Sequence, residues 1–89
     1  MEKTKHRNKA AMTPKQFVAR AYKLLGKGEP DSVWRKRFCN ITGYTQATVT
    51  RMIQGKIPVT EVIDSIFFML ELLDFANVDY LDEFGLRDV

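Results

Sequence analysis

Gln46, Ala47, Thr50, Arg51 and Gln54 fall on one side of a helix if the segment after Gly43 is helical. Amide and guanidinium groups spaced this way offer hydrogen bonds, with no nucleophile and no metal ligand among them. An α-helix fits the ~12 Å major groove of DNA, where base edges present matching donors and acceptors. Other chemistries find little to work with. His6 has no paired Cys, Asp or Ser context in the N-terminal stretch. Cys39 is the one cysteine, so neither an internal disulfide nor a multi-cysteine metal site can form. It lies four residues before Gly43 and reads as packing between two close helices. No glycine-rich phosphate loop or metal-ligand spacing is present. The expectation is a chain that is not an enzyme, with no catalytic residue, no metal and no cofactor.

Positioning such a row requires two short helices and a tight turn. Gly43 suits the reversal because a positive φ costs glycine little. Thr45 is a natural N-cap, and Gly55 a C′ residue, for a helix of about ten residues. Val49, Met52 and Ile53 then face inward. In the helix before, Trp34, Phe38 and Ile41 fall at i, i+4, i+7 and form the opposing stripe. That helix starts near Asp31 or Ser32.

The run Gly43-Tyr44-Thr45-Gln46-Ala47-Thr48-Val49-Thr50-Arg51-Met52-Ile53-Gln54-Gly55-Lys56 resembles the recognition segment of the lambdoid phage repressor and Cro family, the XRE-type regulators. The likeness rests on Cys39 as the small residue before the turn and on the Thr45–Gln46 opening. Val49 six residues after the glycine, the Gly55–Lys56 close, and Pro58 opening the next helix complete it. Trp34 and Thr42 depart from the family pattern, which has a capping residue and an aliphatic residue there. The resemblance spans residues 14–75. It implies an all-α, five-helix helix-turn-helix domain. It further implies a sequence-specific transcriptional regulator, a repressor from a phage or other mobile element, acting as a homodimer on a palindromic operator in double-stranded DNA. By the same resemblance, Thr45, Gln46, Ala47, Thr50 and Arg51 read bases. Arg35, Lys36, Arg37, Tyr44, Gln54 and Lys56 hold the DNA backbone.

Charge supports a polyanionic partner. Through Ile57 the chain carries thirteen Lys and Arg against three carboxylates, a net +10; from Pro58 on it carries one against eight, a net −7. A polyanion binds the first part and is repelled by the second. At 89 residues there is room for one domain, and 45% hydrophobic content suffices for a packed core. Acidic residues interrupt the longest apolar run, and the charged N-terminus lacks a signal-peptide pattern, so the expectation is a cytoplasmic protein with no membrane partner.

Residues 1–12 read as a flexible basic arm, either reaching DNA or serving as a passive tail. Residues 13–75 form the domain. Its first helix opens with a Thr13-Pro14-Lys15-Gln16 capping box and buries Phe17, Val18, Ala21, Leu24 and Leu25. A fourth helix is expected from Pro58 to Phe75. Its stripe of Val59, Val62, Ile63, Ile66, Phe67, Leu70 and Leu73 is widened by Phe68, Met69 and Leu72 beyond what a surface helix needs. The surplus suggests a dimer interface shared with the last segment, residues 76–89: Phe68, Leu72, Tyr80, Leu81 and Phe84. The other outcome is that this segment folds back on its own core. A rival function follows from the same surface: a protein-binding antagonist, an anti-activator or antirepressor, using Val59–Phe84 to seize a second regulatory protein.

Overall fold

The first helix begins with a reciprocal cap. Thr13 Oγ1 accepts the Gln16 N–H at 3.1 Å, and Gln16 Oε1 accepts the Thr13 N–H at 2.9 Å, with Pro14 at N1. In the computed structural model, which describes residues 10–89, all regular structure is helical. Helix α1 (Pro14–Ala21) widens into a π-helical turn at Tyr22–Gly26; α2 (Asp31–Thr42), α3 (Gln46–Ile53), α4 (Glu61–Phe75) and the single turn α5 (Tyr80–Glu83) follow. None of these helices is long and apolar enough to cross a membrane.

Phe17 is the hub of the core. Its ring meets Trp34 and Phe38 edge-on, at 5.8 and 5.3 Å, and stacks on Phe67 at 5.9 Å. The apolar spacing of each helix explains this convergence. Phe17, Ala21, Leu24 and Leu25 from α1, Trp34 and Phe38 from α2, Val49 and Met52 from α3, and Ile63, Phe67 and Leu70 from α4 are all buried. Each large side chain of this set contributes ~1.5–3 kcal/mol by leaving water.

The wide turn of α1 has a clear use. The Tyr22 ring lies over Gly26, where a Cβ would stand 3.0 Å from Tyr22 Cδ1, so a larger residue fits there only if the ring shifts by a few tenths of an ångström. Widening exposes backbone carbonyls to neighbouring side chains: Leu24 O accepts from Tyr80 Oη at 2.6 Å, and Leu25 O from Arg37 Nη1 at 2.7 Å. The helix then ends on Lys27 in the left-handed region (φ 47°), with Gly28 left-handed after it. Gly26 itself is still helical.

Four expectations need correction. Met12 is 7% exposed and pairs with Val59, whose carbonyl accepts the Ala11 N–H at 2.7 Å. The end of the expected arm is therefore part of the core; residues 1–9 lie outside the described residues. Helix α4 starts at Glu61, not Pro58, because Val59 is held extended by that pairing. Asn77 ends α4 with φ 60°, the Val78 N–H bonding Leu73 O at 2.9 Å, and Asp79 caps α5. Tyr80 and Leu81, expected in a dimer interface, are buried in this chain's own core together with Leu86. The Tyr80 hydroxyl is committed to Leu24, so the last segment does fold back. Phe68, Leu72 and Phe84 remain exposed, and Val62, expected in the buried stripe, is exposed too.

Candidate nucleic-acid interface

The α2–α3 turn is built from its own short side chains. Gly43 takes φ 82° and its N–H bonds Cys39 O at 2.8 Å. Thr42 Oγ1 donates to Phe38 O at 2.7 Å and accepts the Tyr44 N–H at 3.2 Å. A threonine at this position thus laces the turn, where an aliphatic residue could not. Tyr44 is half-buried and meets Phe38 edge-on at 6.0 Å.

Thr45 caps α3. Its hydroxyl accepts the Thr48 N–H at 3.2 Å and shares a hydrogen bond with Thr48 Oγ1 at 3.1 Å. Most of its hydrogen-bonding capacity is spent there, so Thr45 positions the helix more than it can read a base. At the far end Gly55 takes φ 78°; the Gly55 N–H bonds Met52 O at 3.1 Å and the Lys56 N–H bonds Arg51 O at 2.9 Å. This two-bond close turns the chain sharply at Lys56.

Between these caps, Val49 and Met52 point into the core while Gln46, Ala47, Arg51 and Gln54 stand in solvent, with Thr50 half-buried. Lys56 and Lys36 are exposed, and Arg35 is half-buried with its guanidinium 5.8 Å from the Trp34 ring centre. Arg37 is the exception among the expected backbone contacts. It is 3% exposed; Nε donates to Leu86 O at 3.0 Å, Nη1 to Leu25 O, and Nη2 pairs with Glu29 at 2.9 Å. Its charge is consumed inside the fold and cannot meet a phosphate.

No carboxylate occurs from Ser32 through Thr60. Three of the four acids of α4 are matched by cations of the first helix and its end: Arg20 bonds Asp64 at 2.6 Å and Glu71 at 3.0 Å, and Lys27 bonds Asp74 at 2.9 Å. Burial alone would lower the Arg20 and Lys27 pKa values, but the carboxylates outweigh it and hold both above their ordinary range. Among the described residues, Arg35, Lys36, Arg51 and Lys56 have no ion-pair partner. They remain open to an external anion.

The start of the described chain reaches the same region. Pro14 packs on Gly55, 3.6 Å from where a Cβ would lie, and Ala10, Met12 and Pro14 line one groove with Lys56 and Pro58. Partial burial pushes the Cys39 thiol above its ordinary range. Thr42 and Thr48 were not expected to matter; only their spacing from Phe38 and Thr45, i+4 and i+3, pointed to these bonds. The chain matches no family model, and no curated protein or solved structure is significantly similar to it.

Proposed function

We propose that this chain is a sequence-specific DNA-binding regulator of the helix-turn-helix kind, a repressor that lays α3 in the major groove. One observation carries this reading. A doubly capped helix presents Gln46, Ala47 and Arg51 outward from a 29-residue stretch without a carboxylate, flanked by Lys36 and Lys56, which have no ion-pair partner among the described residues. Gln46 suits a bidentate amide contact with adenine, and Ala47 an apolar contact with a thymine methyl. Arg51 and Gln54 reach neighbouring bases or phosphates. Lys56, Lys36 and Arg35 supply the salt-dependent backbone term. One such helix covers only a few base pairs, too few to select a site in a genome, so the reading requires two copies on a palindrome. The phage or mobile-element origin comes from the family resemblance alone.

The protein-antagonist reading draws on a separate observation, the exposed apolar residues of α4 within the acidic half of the chain. Footprinting the purified protein on DNA upstream of its own gene distinguishes the two. The repressor reading expects protection of two half-sites about 10 base pairs apart, one helical turn. Binding no tighter there than on random DNA contradicts it and favours the antagonist.

A further inference from the structure

Arg35 differs from Lys36, Arg51 and Lys56 in how it is held. Its guanidinium carbon lies 5.8 Å from the Trp34 ring centre, within the ~6 Å over which an aromatic face attracts a cation. Trp34 is itself fixed from inside: it is fully buried, and its ring meets Phe17 edge-on at 5.8 Å. Arg35 Nε is buried and has no hydrogen-bond partner among the described residues. A buried donor without an acceptor is unfavourable, and an arginine swung out into water would hydrate that N–H. The side chain thus forgoes a hydrogen bond to keep its seat on the ring. Its two Nη groups are not enclosed, and no carboxylate among the described residues pairs with them.

We infer that Trp34 is a positioning residue for Arg35, fixing the guanidinium so that its Nη end, and not its Nε edge, meets a DNA phosphate. Arg35 lies on α2, the helix that crosses the DNA backbone when the next helix enters the major groove. Two parallel N–H groups at the end of a guanidinium match two phosphate oxygens. A guanidinium already held on a ring has little freedom left to lose on contact, whereas Lys36, on an exposed stem, is ordered only at that moment. The choice of an indole fits this role. Trp34 Nε1 is buried with no partner, so the ring nitrogen gives the core no hydrogen bond. Among aromatic side chains, indole attracts a cation most strongly. Trp34 also stands where the resembled family carries a helix-capping residue, and Pro30 occupies the cap of α2 instead.

The phosphate contact rests on the DNA-binding reading, but the seat on Trp34 does not, so one arm of the test needs no DNA. In the free chain, NMR should show the Arg35 Nε–H exchanging with water at least ~10-fold more slowly than that of exposed Arg51. Trp34→Leu should abolish the difference. Equal exchange in the wild type overturns the inference whether or not the chain binds DNA. On the footprinted duplex, Arg35→Ala should reduce the slope of log affinity against log salt by about 1. Trp34→Leu should weaken binding ~3–10-fold with the slope retained, because the charge stays and only its placement is lost. Added to Arg35→Ala, Trp34→Leu should cause no further loss of affinity, although it lowers the melting temperature in both backgrounds. An equal loss of affinity in both backgrounds makes Trp34 purely a core residue and overturns the inference. If Trp34→Leu does not fold, Arg35→Lys decides: it should keep the slope and bind at least ~3-fold more weakly, since an ammonium has no planar face to seat on the ring. Wild-type affinity in Arg35→Lys overturns the inference. A chain that holds Arg35 but binds no DNA refutes the repressor reading and the phosphate contact together, and confirms only the seat on Trp34.

Discussion

Replacing Arg37 with methionine separates a structural cation from a DNA contact. Methionine keeps much of the length and removes the charge. Two buried hydrogen bonds from a charged donor are lost, to Leu86 O and Leu25 O, at ~1.5–3 kcal/mol each. The Glu29 pair adds little, ~0–1 kcal/mol, because that carboxylate is half in water. Relief of the cost of burying a guanidinium works in the opposite direction. The balance is a loss of about 3 kcal/mol, which for a domain this size lowers the melting temperature by roughly 12–24 °C. Thermal and urea unfolding, followed by circular dichroism and Trp34 fluorescence, measure it. Arg37→Lys should recover less than half, since an ammonium cannot reproduce the planar fork. Lys36→Ala, one residue away and exposed, should stay within ~0.5 kcal/mol of wild type. If Arg37→Met is equally neutral, or flattens the salt dependence of DNA binding while leaving stability intact, the buried role is wrong.

Tyr80→Phe removes the 2.6 Å bond to Leu24 O and should cost ~1 kcal/mol in urea unfolding. Burial holds the Tyr80 phenol above its ordinary value of 10.0, and the Asp74 bond holds Lys27 above 10.5 despite burial. Both groups favour the protonated folded state, so their stability is present below about pH 10 and lost as pH rises beyond it; Tyr80→Phe should shallow that alkaline decline. Deletion through Met12 should melt lower than deletion through Lys9, by the ~2–5 kcal/mol of losing a buried methionine; equal melting would remove Met12 from the core. Lys56→Ala should reduce the slope of log affinity against log salt by about 1, and an unchanged slope would take it off the backbone.

Local chemistry was legible in the sequence wherever the deciding partner lay within one turn. The Thr13–Gln16 box, the left-handed Gly43, the Thr45 cap and the Gly55 close all stand where residue type put them. What escaped depended on distant partners. Arg37 looked like its neighbours Arg35 and Lys36, and only Leu86, 49 residues on, and the wide turn at Leu25 make it a core residue. Tyr80 and Leu81 carried an apolar pattern that fits an interface or a core equally; the Leu24 carbonyl decides it. Val59 matched a helical stripe, yet Met12 holds it extended. The surplus apolar face of α4 was readable from periodicity alone, but not which of its members the last segment would cover.

Base reading by α3 is the central claim, and Gln46→Ala tests it most directly. Gln46 is exposed, and neither its caps nor its core neighbours depend on its amide. Fluorescence anisotropy should compare wild type and variant on the footprinted site and on scrambled DNA of equal length, at one salt concentration. The account predicts a loss of ~1–3 kcal/mol on the site and almost none on the scrambled duplex. Equal loss on both, or none on either, would contradict it.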